Sequence, residues 1–127
     1  MEVYLHPAMI GDEMENFIDY ILDGEWSEEK QMMAVAFEEA FVNVCNYAYP
    51  EKNGYIKVLI QKHEDYIQAD IWDEGMPYDP TTVPLKEIEE LQIGGHGLRL
   101  MREYCTLRYE RVEGTNHLTL TKYLKKE

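Results

Sequence analysis

Basic residues are scarce in this chain: Lys and Arg total 12 against 25 Asp and Glu, a formal charge of −13. So acidic a surface repels phosphate backbones and anionic bilayers. That excludes direct nucleic-acid binding or membrane attachment as the main activity and favours a basic or mixed-charge protein partner. Cysteine is scarce too. Cys45 and Cys105 are the only two, with no CxxC pair and no His at metal-ligand spacing. Neither a disulfide framework nor a zinc site is expected, and both read as small buried hydrophobes. Long apolar runs are missing: the longest, residues 32–37, is far short of a membrane span, and the N-terminus lacks the basic and apolar regions of a signal peptide. The expected location is the cytoplasm. A chain of 127 residues suits a single domain that buries about 65–70% of its unfolded surface.

What the chain does have is a long helical pattern near its centre. Over residues 36–49, at about 100° per residue, Ala36, Phe37, Ala40, Phe41, Val44 and Ala48 share the arc expected to pack on a core. Glu39, Asn43 and Asn46 fall on the opposite side, one turn apart. Met32, Val35 and Val42 lie among them, so this polar arc reads as a covered pocket wall instead of wet surface. Ser27, followed by Glu28 and Glu29, predicts the N-cap, and Pro50 with Asn53-Gly54 predicts the end.

Before this helix, residues 2–5 alternate as a short strand, and Met14, Phe17, Ile18, Ile21 and Leu22 recur at helical spacing with Gly24 as the stop. Acidic residues between Asp12 and Glu39 are opposed only by Lys30, a surface that either solubilises the chain or docks a basic partner. After it, residues 55–61 and 66–72 alternate as the arms of an antiparallel hairpin turned at His63-Glu64-Asp65. Ile56, Val58 and Ile60 share one face of the first arm, as do Ile67, Ala69 and Ile71 in the second.

Asp73-Glu74-Gly75-Met76-Pro77-Tyr78-Asp79-Pro80 follows, irregular by its glycine and prolines. An Asp at a strand's end before a Gly turn lets backbone and carboxylate approach a ligand closely, although the same pattern also makes ordinary turns. Residues 81–93 read as a Glu-rich mobile connector with a short helix around 86–91. Gly94-Gly95-His96-Gly97-Leu98 then opens onto a helix over residues 99–104. Glycines before a helix start let backbone N–H groups converge on an anion, or serve as a hinge. A second hairpin, residues 106–112 and 117–124, turns around Glu113-Gly114-Thr115 with Leu118 and Leu120 inward.

In this order the motifs resemble the GHKL (Bergerat-fold) ATPase superfamily, most closely its anti-sigma factor serine/threonine kinases, and the resemblance covers almost the whole chain. It implies a two-layer α/β sandwich, with a mixed, mostly antiparallel sheet, helices on one face, and ATP or ADP with Mg²⁺ between helices and lid. By position, Glu39 resembles the family's general base and Asn43 its Mg²⁺ ligand. Asp73 resembles the acceptor of the adenine amino group, with Gly75 letting the base lie close and Pro77, Asp79 and Pro80 continuing the pattern. Gly94, Gly95 and Gly97, with Leu98 after them, resemble the glycines that let the lid close over the phosphates, near which Asn46 also falls. Asn116 matches the position before the last strand that supports the adenine end. Arg99 and Arg102 either add charge near the phosphates or form surface salt bridges.

Two positions depart from the family: Tyr47 stands where a His is usual, and Asn46 where a Lys is often found. Lys86 is the one basic residue of the connector. Binding is therefore better supported than catalysis. The partners implied are a sigma factor and an anti-anti-sigma protein that accepts phosphate on Ser or Thr, with homodimerisation also possible. Three readings stay open: kinase, non-catalytic nucleotide-sensing module, and simple ATP hydrolase.

Overall fold

The structure, a computed structural model, describes residues 2–5, 10–24, 27–47, 54–77, 79–82 and 94–124. The elements run β1 (Glu2–Leu5), α1 (Ile10–Leu22), α2 (Glu28–Tyr47), β2 (Ile56–Lys62), β3 (Tyr66–Asp73), α3 (Gly94–Tyr104), β4 (Thr106–Val112) and β5 (Thr115–Tyr123). The short helix expected around residues 86–91 lies outside the described residues.

The strands form one sheet in the order β1-β2-β3-β5-β4, with helices packed on one face, so the two-layer α/β sandwich expected from the sequence is what forms. Every described pairing is antiparallel. Tight turns join β2 to β3 and β4 to β5, which leaves those neighbours no parallel option.

Period-two alternation sets the inner face. Ile56, Val58 and Ile60 of β2, Ile67, Ala69 and Ile71 of β3, and Leu118 and Leu120 of β5 are all buried. Their registers align in rows, so that Val58, Ile71, Leu118 and Tyr109 face one another across four strands. Onto these rows α2 lays Met33, Ala36, Phe37, Ala40 and Phe41, all with no exposed surface. Phe17 of α1 meets Phe37 and Phe41 edge-on, at 5.3 and 5.5 Å between ring centroids, while Phe37 and Phe41 stack at 5.7 Å. Because α1, α3 and the sheet all contact α2, it is buried around more of its circumference than a single arc: Met33, Ala34 and Cys45 join the core.

Local chemistry fixes the element ends. The Ser27 hydroxyl oxygen accepts the Lys30 N–H at 3.1 Å, capping α2 as expected. In the β4–β5 turn both Glu113 (φ 50°) and Gly114 (φ 81°) have positive φ, as a two-residue type I′ hairpin requires. That turn sets Arg111 opposite Asn116. On the outer face Asp70 is only 5% exposed, yet its carboxylate contacts His117 Nε2 at 2.7 Å and accepts from Thr119 Oγ1 at 2.8 Å and Gln68 Nε2 at 3.1 Å. Those partners offset its burial. Trp72 stacks on His117 beside this cluster. No helix among the described residues is long and apolar enough to cross a membrane.

Candidate functional site

The inward series Ile67, Ala69, Ile71 ends at Asp73, so the alternation that builds the core also delivers a carboxylate into it. Asp73 is 6% exposed. Its Oδ1 accepts the Gly75 N–H at 2.9 Å, an Asx turn, and the Asn116 Nδ2–H at 2.8 Å. No hydrogen bond reaches Oδ2 from the described residues. This carboxylate sits in the wall of a slot between sheet and helices, with Ala40, Asn43 and Val44 of α2 opposite, Met101 of α3 at one side, and Met76 and Pro80 from the loop after β3. The cavity volume is about 20 Å³, the space of a water and not of an aromatic base. The walls must therefore part for a ring to enter, and Met76 and Met101 are the adaptable side chains among them.

Asn43 supplies a second polar group with unmet hydrogen-bonding capacity. Its Nδ2 is the one wholly buried side-chain nitrogen or oxygen among the described residues that lacks a hydrogen-bond partner. Such an orphan costs about 1–3 kcal/mol, which an acceptor on a bound molecule would restore.

Burial raises the Asp73 pKa above its usual value of 3.8, opposed by the hydrogen bonds from Asn116 and Gly75 and by the charge of Arg111. With the folded value raised, the stability linked to this group is full below 3.8 and is lost as pH climbs through the folded value. Asp73→Asn removes the buried charge. It is expected to raise the melting temperature of the unliganded protein at pH 7, and the gain should shrink towards zero as pH falls to ~4; thermal melts of both proteins across pH check this.

The other sequence-predicted residues separate. Glu39 is half-buried one turn before Asn43 and is not among the slot's walls. Asn46 and Pro77 are exposed and lie outside it. Gly75 acts through its N–H on Asp73. The side chains of Tyr47 and Leu98 lie outside what is described. Gly94, Gly95 and Gly97 do not precede the helix: α3 starts at Gly94 and contains them. Glycine disfavours a helix by roughly 1 kcal/mol per residue, so propensity pointed to a later start, which the packing of α3 against α2 overrides. The first-turn N–H groups have no acceptor within the helix, so they remain suited to an anion.

Arg102 donates from Nη2 to the Thr81 carbonyl, binding α3 to the turn in which Asp79 accepts the Thr81 N–H at 2.8 Å. Met32 and Val35 line a different groove with Glu28, Gln31 and Tyr104; the polar arc of α2 therefore serves two hollows instead of one. Burial pushes the Cys105 thiol up to about 12. Its Sγ contacts Met33 Sδ at 3.5 Å in the core, in keeping with an unreactive buried thiol.

Sequence reading missed Tyr109 and Arg111. The Tyr109 hydroxyl donates to Asn116 Oδ1 at 2.5 Å, and Arg111 Nη1 donates to the same oxygen at 2.8 Å and to the Gly75 carbonyl at 3.0 Å. The signal was available: with a two-residue turn at Glu113-Gly114, alternation places Tyr109, Arg111 and Asn116 on one face.

A model of the histidine kinase-like ATPase domain matches residues 24–122, a span that holds the slot, its carboxylate and its orphan amide. The chain belongs to this family. It is 35% identical over 109 residues to the serine/threonine-protein kinase BtrW of Bordetella bronchiseptica, covering 80% of this chain and 77% of that one. It is 34% identical over 113 residues to the serine-protein kinase RsbW of Bacillus subtilis, covering 79% and 68%. Among solved structures, the blue-light activated histidine kinase EL346 of Erythrobacter litoralis superposes with a TM-score of 0.57 at 12% identity, over 93% of this chain and 42% of that longer one. At that identity the likeness is one of fold.

Proposed function

We propose that this protein is an ATP-dependent serine/threonine protein kinase of the anti-sigma type, which sequesters a sigma factor and phosphorylates a small antagonist protein. The observation that carries the nucleotide part is the pairing, across one slot, of a buried carboxylate whose Oδ2 accepts from none of the described residues and an Asn43 amide nitrogen buried without a partner. Asp73 Oδ2 accepts the exocyclic amino group of adenine. Asn43 would hold Mg²⁺ through its amide oxygen, leaving its nitrogen to donate to a nucleotide oxygen; Mg²⁺ supplies charge neutralisation at the phosphates. The first turn of α3 offers N–H groups to the phosphate chain. Glu39, one turn from Asn43, takes the proton of the acceptor hydroxyl. The acidic surface, −13 overall, suits a basic face on a partner.

A second reading, a nucleotide sensor that transfers nothing, is favoured by one observation: Glu39 and Asn46 stand outside the slot walls. ATP labelled at the γ-phosphate separates the readings. Incubated with Mg²⁺ and a co-purified partner, label on a partner Ser or Thr is expected. Free phosphate alone would indicate a hydrolase, and unchanged ATP a sensor. Glu39→Ala should abolish transfer and spare binding; transfer at full rate in that variant contradicts the role given to Glu39.

A further inference from the structure

We infer that Tyr109 and Arg111 set the slot's preference for a 6-aminopurine, by locking the Asn116 amide in the one orientation that leaves Asp73 Oδ2 as the acceptor facing the base. The inference rests on the nucleotide reading above and adds to it two specificity-determining residues that touch no part of the reacting phosphates.

The lock follows from donor and acceptor counts. A primary amide has one accepting oxygen and two N–H donors. Asn116 Oδ1 accepts from the Tyr109 hydroxyl at 2.5 Å and from Arg111 Nη1 at 2.8 Å. Rotating the amide by half a turn would set its NH₂ against the Arg111 guanidinium, which only donates, and its oxygen against the Asp73 carboxylate and the Gly75 and Met76 carbonyls. The Tyr109 hydroxyl fills the second lone pair of Oδ1 and steadies the same orientation. In it Nδ2 lies 2.8 Å from Asp73 Oδ1, 3.1 Å from the Met76 carbonyl and 3.3 Å from the Gly75 carbonyl. Arg111 also grips the Gly75 carbonyl at 3.0 Å, steadying the turn that brings the Gly75 N–H onto the same Oδ1.

Both arms of the lock come from β4. Arg111 pairs with Asn116 across the hairpin and Tyr109 is its diagonal neighbour. With Oδ1 saturated by two donors, the remaining oxygen of an ionised Asp73 can only accept. A base bearing a 6-amino group meets it with a donor; a 6-oxo base sets a lone pair against it and leaves both groups unpaired in a buried slot. Without these donors the Asn116 amide and the turn it grips are free to shift, and the Asp73 carboxylate loses the contact that fixes its rotamer. An oxygen no longer held against the base discriminates less between a 6-amino and a 6-oxo group. Loss of the lock therefore changes selectivity as well as affinity.

The test is calorimetric titration at pH 7 of ATP and of ITP, its 6-oxo counterpart, into the wild type, Tyr109→Phe, Arg111→Met and the double variant. Tyr109→Phe keeps the ring that lines the slot and removes only the hydroxyl, and Arg111 is exposed, so a folded protein is expected in each case and checked by thermal melt. The wild type is expected to prefer ATP. The ATP-to-ITP affinity ratio should fall about threefold in each single variant and about tenfold or more in the double. A purely structural role would weaken both nucleotides in proportion, and an unchanged ratio in Tyr109→Phe overturns the inference while leaving the nucleotide reading intact. A wild type that binds neither nucleotide overturns both.

Discussion

Asp73→Asn is expected to weaken ATP binding about 50- to 100-fold, equivalent to about 2–3 kcal/mol for a donor left facing a donor in a buried slot. The substitution is clean because the two oxygens have separate duties. Oδ1 accepts from Gly75 and Asn116, and an Asn side chain can still present an oxygen there. What changes is the second atom, from an acceptor to an NH₂ that opposes the adenine amino group. The same variant should melt higher than wild type without ligand, since the buried charge is gone. A residue whose removal stabilises the fold and destroys binding is one retained for function. Titration calorimetry with Mg-ATP reads the first effect; unaltered affinity would place the nucleotide elsewhere on the molecule.

Phe41→Ala is expected to carry the largest stability loss, about 3–5 kcal/mol, or a fall in melting temperature of about 10–20 °C. Phe41 has no exposed surface and completes a three-ring cluster with Phe17 and Phe37. Removing it takes out one ring's burial and leaves a cavity that helices pinned on both sides of α2 cannot close. Its neighbours Ala40 and Val44 line the slot, so the fraction still folded should also bind nucleotide less well. Thermal unfolding followed by circular dichroism measures the loss; a cost under about 1 kcal/mol would mean that the aromatic cluster is not the centre of the core.

Much of this was legible in the residues because local signals and tertiary demands agree. The alternation of Ile56, Val58 and Ile60, and of Ile67, Ala69 and Ile71, specified inward faces, and those faces are buried. Extending the same period by one step carries Asp73 inward, which is why a carboxylate at a strand end was a better ligand candidate than its Asp-x-Gly turn alone suggested. Ser27 capped where a hydroxyl before two glutamates should. Elsewhere the signals conflict. The start of α3 was hidden by glycines whose helix propensity is poor, and only tertiary packing reveals it. The second hollow on α2, at Met32 and Val35, depends on where Tyr104 of α3 lands, which no spacing within α2 encodes. Tyr109 and Arg111 escaped notice for a different reason: their importance lies in a partner across the hairpin, and a side chain that orients another leaves no motif of its own.

The slot holding Asn43, Asp73 and Asn116 is proposed as the nucleotide site. Amide NMR of the isotope-labelled protein titrated with Mg-ADP tests it most directly, since side-chain NH₂ groups report their own hydrogen bonds. The orphan Nδ2 of Asn43, the NH₂ of Asn116 and the backbone amides of Gly75 and Met76 are expected to shift together, at a single saturating concentration. Shifts confined to the opposite face of the sheet, around Lys57, Trp72 and His117, with the Asn43 NH₂ unmoved, would contradict it.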